Sequence, residues 1–240
     1  MNKSIRHVAA QVWRGLFLEP DAYDEAADSP NPFVEGLFMV AFVGLLVGVA
    51  AGIGGLLDWA ITPDLGRMRE LILQGLQAMP WFEFLRGDAE ALRQFDFGYD
   101  LGWRISEIFQ PSALNLLSQL ILTPLGLILS WLWFALIAQG VARLLGGNGT
   151  TRQTLGATAL AVAPNLLNIF GLLPMVSVAA VGVWTLLARY VALRRVHENL
   201  TWGRTLIALL APAILFVLLI VLLSLLLSSL FAALIGGLFS

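Results

Sequence analysis

A proline and two asparagines interrupt an otherwise apolar stretch of the chain, GATALAVAPNLLNIFGLLP at residues 156–174. In an α-helix, Pro164 lacks the amide that would bond the carbonyl of Leu160, and its ring clashes with that carbonyl. Asn165 and Asn168 follow, three residues apart and therefore on one helix face. We name Pro164, Asn165 and Asn168 the polar kink, because they place a helix breaker and two amides in a segment apolar enough to lie in a membrane.

Two interpretations of the polar kink follow from its chemistry. In the structural one, the amides stabilise a bend by bonding their own backbone or polar side chains of a second apolar segment, namely Asn115, Gln119 and Gln139. In the other, a discontinuous helix lines a polar cavity, as in transporters. Because no intramembrane charge is found beside the kink, the structural interpretation is favoured.

Other chemistries have few residues to support them. The chain has no cysteine, and its two histidines, His7 and His197, fall outside the predicted apolar spans. Acidic residues are not clustered inside those spans as they are in proton relays. The GGNGT loop at residues 146–150 lacks the Gly-Lys-Ser/Thr ending of a phosphate-binding loop and is typical of a helix end and turn. We therefore expect no enzyme activity, no cofactor and no metal site, and the net charge of −2 gives no reason to expect nucleic acid.

A glycine ridge lies in the first apolar segment, GLLVGVAAGIGG. Gly44, Gly48 and Gly52 recur every four residues on one helix face, the small-residue pattern that lets a second helix approach closely. The sequence predicts tight packing there, against another span of the chain or against a second copy.

The elements that carry these residues are membrane spans. The chain has 240 residues, of which 58% are hydrophobic and 12% charged, whereas soluble domains have about 25% charged residues. A span needs roughly 20 mostly apolar residues, which predicts an all-α polytopic fold with five spans. They cover residues 33–57, 113–141, 154–173, 174–193 and 205–238, and the third and fourth could instead form a re-entrant hairpin.

The arrangement of the domain follows from these spans. Residues 1–32 form an amphipathic helix and a linker, and residues 33–240 form the membrane domain with an outer loop at about 58–112. Arginine and lysine favour the cytoplasmic side. Every short loop places its arginines on the side of the N-terminus, so we expect a cytoplasmic N-terminus and an outer C-terminus.

Two segments are predicted to lie on the membrane surface. At the N-terminus, apolar residues recur at helical spacing opposite Lys3, Arg6, Gln11 and Arg14; this predicts an interfacial helix on the cytoplasmic leaflet, the alternative being a soluble helix packed on a partner. Its apolar positions are Ile5, Val8, Ala9, Val12, Trp13, Leu16 and Phe17. The outer loop contains a helix-compatible run at 71–85 and then FDFGYDL, which alternates and predicts an extended segment. The loop is apolar enough to lie along the outer surface or to cover the span ends.

From Gly146 onward the order of features resembles the Yip family, the Ypt-interacting-protein domain. The matching features are a glycine loop, a threonine-leucine entry into a span, an alanine-rich run ending in Ala163-Pro164, and a tryptophan-containing span. A basic linker with His197 and then Gly203-Arg204-Thr205-Leu206 follow. The segment VWRGLFLEPDAYDEAADSPNPF is similar to the one before the first span in prokaryotic members.

The resemblance implies a five-span, all-helical protein of a prokaryotic cell membrane with a cytoplasmic N-terminus. Eukaryotic members are associated with Rab-type GTPases, but the short head here is typical of prokaryotic members, so Rab binding is not expected. We predict a non-enzymatic scaffold or accessory subunit in the lipid bilayer that associates with other membrane-protein subunits or with itself. The alternative is a small transporter or lipid-handling protein that uses the kinked third span.

Overall fold

The protein is all-helical over the residues that its computed structural model describes, 2–61, 65–108, 113–173 and 176–238. Ten α-helices and one 3-10 helix account for most of these residues. The helices are α1 (Asn2–Leu16), α2 (Pro20–Ala27), α3 (Pro32–Ile61), α4 (Leu65–Gln77), α5 (Phe82–Arg86), α6 (Ala89–Ile108), α7 (Ala113–Leu144), α8 (Thr151–Leu160), the 3-10 helix (Ala163–Leu172), α9 (Val181–Val196) and α10 (Trp202–Leu238).

Within the part of the chain that the structure describes, four segments are long and apolar enough to cross a membrane. They correspond to the predicted first, second, third and fifth spans and cover Pro32–Leu57, Ser118–Leu144, Thr151–Leu172 and Trp202–Ser229. The predicted fourth span, residues 174–193, is different because its helix begins only at Val181. The 16 residues of α9 rise about 24 Å, less than the roughly 30 Å of a hydrocarbon core.

α1 and α2 form a head that packs against the rest of the chain. From the apolar face of α1, Val8 and Val12 are buried, whereas Trp13 is 60% exposed. Gln11, predicted to lie on the polar face, is also buried. The Tyr23 hydroxyl in α2 donates to the carbonyl of Gly15 at 3.0 Å and holds the two helices together. The predicted apolar face is therefore divided between the protein core and the outside.

Helix α8 lies in the middle of the bundle, between α2, α3, α7 and α9. Thr150 caps its N-terminus in a capping box with Gln153, which satisfies amides that lack intrahelical partners. All residues from Thr154 to Leu160 are buried. A Cβ atom on Gly156 would lie 2.2 Å from the carbonyl oxygen of Ala26, so the small residues of this helix let α2 approach closely.

The loop that was predicted to be outer contains a folded arm, residues 65–108, which comprises α4, α5 and α6. The guanidinium of Arg69 pairs with Asp100 at 2.5 Å, joining α4 to α6. Phe82 of α5 is buried against Phe95, with ring centroids 5.3 Å apart. Pro80 separates α4 from α5, as expected for a residue that ends helices.

The predicted extended segment FDFGYDL is wrong, because it lies inside α6. Alternation over a few residues is ambiguous when the same apolar positions also recur every fourth residue. Phe95, Tyr99 and a tryptophan at 103 form one such row, and Phe97, Leu101 and Ile105 form another. Both rows fit one helix.

Candidate functional site

The glycine ridge packs against α7 of the same chain. A Cβ atom on Gly44 would lie 2.5 Å from the Cα atom of Pro124, and one on Gly48 would lie 3.0 Å from the carbonyl oxygen of Gln119. Gly52 is buried on the same helix. The neighbours of Gly44 and Gly48 are mainly backbone atoms, which cannot turn away as a flexible side chain can. At these two positions the ridge sets the distance between α3 and α7.

At the polar kink the third span changes from an α-helix to a 3-10 helix. α8 ends at Leu160, the residue whose carbonyl would need the missing amide of Pro164. The 3-10 helix that follows, from Ala163 to Leu172, uses i to i+3 bonds. The backbone amide of Asn165 bonds the carbonyl of Val162 in this pattern at 2.9 Å.

The two asparagines of the polar kink have different surroundings. Asn165 is half-buried, and its side-chain amide donates to the carbonyl of Val162 at 2.9 Å, so it bonds its own backbone rather than the second span. Asn168 is exposed. Of the polar partners suggested on the second span, Gln139 bonds other groups and Asn115 lies outside the described side chains.

The main polar site of the bundle lies where the loop after α7 meets the linker after α9. We name Gln139, Gly149, Thr154 and His197 the His197 network. The His197 side chain is fully buried, and its Nε2 lies 3.0 Å from Oε1 of Gln139. Thr154 donates its hydroxyl to the same oxygen at 2.5 Å. The Gln139 amide in turn donates to the carbonyl of Gly149 at 3.0 Å.

The network sets the protonation state of His197. The backbone N–H of Gly149 donates to Nδ1 at 3.0 Å, so Nδ1 must carry a lone pair and the ring proton resides on Nε2, where it is donated to Gln139. Burial, with a smaller contribution from the positive charge of Arg143, lowers the pKa of His197 below its usual value. The histidine is therefore neutral at pH 7, and a second proton would face the Gly149 N–H.

The glycine loop is shaped to fit this histidine. Gly146 has a φ of +93°, which favours glycine, as expected at a helix end. A Cβ atom on Gly147 would lie 2.6 Å from Nδ1 of His197, and one on Gly149 would lie 2.3 Å from Cγ1 of Val196. The loop and the linker thus form one closely packed unit that joins α7, α8, α9 and α10.

Sequence reasoning missed both this network and one charge. Gln139 and His197 are 58 residues apart and belong to no local motif that predicts their contact. Arg189 falls inside the predicted fourth span, yet it was not counted among the charges. An arginine within an apolar run is a signal that could have identified it. Metal-binding groups of three or more His, Asp or Glu side chains are not found within the described ranges.

A family model supports what the order of features suggested. The model of the Yip1 domain matches residues 14–225, which include the glycine ridge, the polar kink and the His197 network. The chain belongs to the Yip1 domain family. The resemblance drawn from the glycine loop and the basic linker is thereby confirmed. This Yip1-domain protein has helices that suit an integral membrane protein, and its family is not an enzyme family. No curated protein and no solved structure matches the chain.

Proposed function

We propose that this Yip1-domain protein is a non-enzymatic accessory subunit that binds another membrane protein through its arm. The observation that carries this proposal is an apolar stripe on α6, formed by Phe97, Leu101 and Ile105, which are 70%, 45% and 48% exposed. We name these three residues the α6 stripe. They lie four residues apart and therefore share one face of the helix.

The arm has its own core on the opposite side of α6, so the α6 stripe is not needed to fold it. Phe95 and Tyr99 stack with ring centroids 5.8 Å apart, and Tyr99 contacts Trp103 at 6.0 Å. The Tyr99 hydroxyl also donates to the carbonyl of Arg69 at 2.5 Å. A helix with one apolar face inside and a second one outside is typical of a segment that docks into a partner's groove.

The proposed topology has five membrane crossings. Gly171 at the end of the 3-10 helix lies against Gly54, where an added Cβ atom would be 2.5 Å from the Gly171 carbonyl oxygen. Gly54 is 22 residues after Pro32, which is about 33 Å along a helix. The 3-10 helix therefore ends about one membrane thickness away from the start of α3. The end of α9, in contrast, lies beside the head, where Arg195 pairs with Asp24. A return crossing through residues 174–193 accounts for both contacts.

The orientation and the head complete the proposal. Two arginines of the short loops contact the head or its linker: Arg152 donates to the carbonyl of Pro30, and Arg195 pairs with Asp24. Arginines beside the head favour a cytoplasmic side for it, in a prokaryotic cell membrane. Trp13 and Phe17, 60% and 57% exposed, form a short apolar edge of α1 that would enter the cytoplasmic leaflet.

Site-specific photo-crosslinking tests the accessory role. A photoreactive amino acid at Phe97 is expected to capture one specific membrane protein in native membranes. The same probe at Ser106, an exposed residue on the opposite side of α6, is the matched control and should capture far less. If the probe at Phe97 captures only lipid, the α6 stripe lies on the bilayer and the proposal is wrong.

A further inference from the structure

Arg189 carries a positive charge among the spans. Its guanidinium carbon lies 4.4 Å from the centroid of the Phe134 ring. Among the side chains that the structure describes, no acidic group forms an ion pair with it. A cation over an aromatic face gains some stabilisation, but a charge in an apolar environment normally has a counter-charge or is hydrogen-bonded. Arg189 is therefore suited to an anion that comes from outside the chain.

The guanidinium lies at the level where the head meets the apolar spans. Trp133 precedes Phe134 on α7, and it donates its indole N–H to the carbonyl of Pro212 on α10 at 3.1 Å. Trp131 lies in the same turn of α7, and its ring stacks on that of Phe33 with centroids 6.0 Å apart. Phe33 is the second residue of α3, so this turn lies where α3 leaves the head. Tryptophan is enriched where a membrane protein meets the headgroups, so this level corresponds to that of lipid phosphates.

A groove runs from this level towards the apolar side, between α7, α9 and α10. It has a volume of about 530 Å³ and is lined on that side by Leu129, Ala213 and Phe216. Leu129 is 67% exposed and Phe216 is 51% exposed, so the groove opens towards lipid. Its dimensions and its apolar walls suit a hydrocarbon chain.

We propose that this groove binds an anionic phospholipid, with the phosphate on Arg189 and an acyl chain along Leu129, Ala213 and Phe216. The planar guanidinium donates two parallel hydrogen bonds to a phosphate, which a lysine cannot reproduce. Basic pockets between spans at a membrane face are suited to lipid headgroups. This binding is separate from the accessory role, because the α6 stripe is on the arm, whereas the groove lies between α7, α9 and α10.

Native mass spectrometry of the full chain tests the proposal. The protein is purified with equal amounts of phosphatidylglycerol and phosphatidylcholine, and the fraction that retains each lipid is measured. The wild type is expected to retain phosphatidylglycerol preferentially. Arg189→Gln should retain it about tenfold less, the factor that corresponds to about 1.4 kcal/mol, and Arg189→Lys should be intermediate.

Two further variants separate the charge from the groove. Ala213→Phe fills the apolar part and keeps Arg189, so it should also reduce phosphatidylglycerol retention. Arg6→Gln removes one positive charge from the head and should leave retention unchanged. Thermal melting of every variant identifies any that fails to fold, and Arg189→Lys and Ala213→Phe then decide the outcome.

Three results would overturn the proposal. Equal retention of the two lipids by the wild type would mean that the groove does not select an anion. Retention at the wild-type level in Arg189→Gln would place the anion elsewhere on the protein. A protein partner crosslinked to a photoreactive probe at Leu129 would show that the groove contacts another subunit rather than a lipid.

Discussion

Substitution of Gly44 by alanine should destabilise the α3–α7 pair. The added methyl group would lie 2.5 Å from Cα and 2.8 Å from Cβ of Pro124. These distances are far shorter than the 3.5–4.0 Å of an ordinary carbon contact. Because Pro124 lies inside α7, its backbone can give way only if the helices separate. The cost of such overpacking is about 1–3 kcal/mol.

The net effect is smaller, because alanine favours a helix over glycine by about 0.8–1.0 kcal/mol. Gly126→Ala on α7 isolates that gain, since a Cβ atom there would meet nothing within 4 Å. Gly48→Ala is an intermediate case, with its nearest atom at 3.0 Å. We expect stability to decrease in the order Gly126→Ala, Gly48→Ala, Gly44→Ala, with a net loss of about 0–2 kcal/mol for Gly44→Ala.

Thermal unfolding in mild detergent measures this order. For a chain of this size, 1 kcal/mol corresponds to about 2–4 °C in Tm. Gly48→Leu, which adds a much larger side chain, should lower Tm further than Gly48→Ala. If Gly44→Ala melts at or above the temperature of Gly126→Ala, then α3 and α7 are not in close contact at this position and the packing argument fails.

Three other predictions concern the His197 network, the polar kink and the topology. Because the pKa of His197 is lowered on folding, its contribution is complete above about pH 6.5 and is lost as pH falls through the folded-state pKa. The Tm difference between wild type and His197→Gln should therefore shrink on acidification, and a constant difference would contradict the network. Asn165→Leu should cost about 0.5–1.5 kcal/mol through its bond to Val162, whereas Asn168→Leu should be close to neutral; equal losses in thermal unfolding would refute the kink geometry. Cysteines at Asp88 and Asn148 should react with a membrane-impermeant label from opposite sides, and labelling from one side would refute the orientation.

Local rules predicted the main helices well. Hydropathy located α3, α7 and α10, because in each a long apolar run is bounded by charged or helix-breaking residues. α8 ends at Leu160, four residues before Pro164, since the effect of a missing amide is confined to one turn. These features need no information about distant residues.

Contacts between distant residues could not be predicted in this way, nor could the structure of a segment whose apolar residues fit both strand and helix spacing. The His197 network depends on residues from two segments that meet only in the folded bundle. Arg189 was obscured by the apolar residues on both sides of it. In the arm, the alternating Phe95, Phe97 and Tyr99 fit a strand locally, and only the row that continues to Leu101 and Ile105 favours the helix that forms.

The size of the particle in native membranes tests the accessory role most directly. Extraction into native lipid particles followed by mass photometry should give a complex larger than one 26.1 kDa chain, and its mass should not be a multiple of the chain mass. Phe97→Asp on the α6 stripe should release the partner, whereas Ser106→Asp, on the opposite side of α6, should leave the complex intact. A single chain in the wild-type particle, or a complex that Phe97→Asp leaves unchanged, would contradict the account.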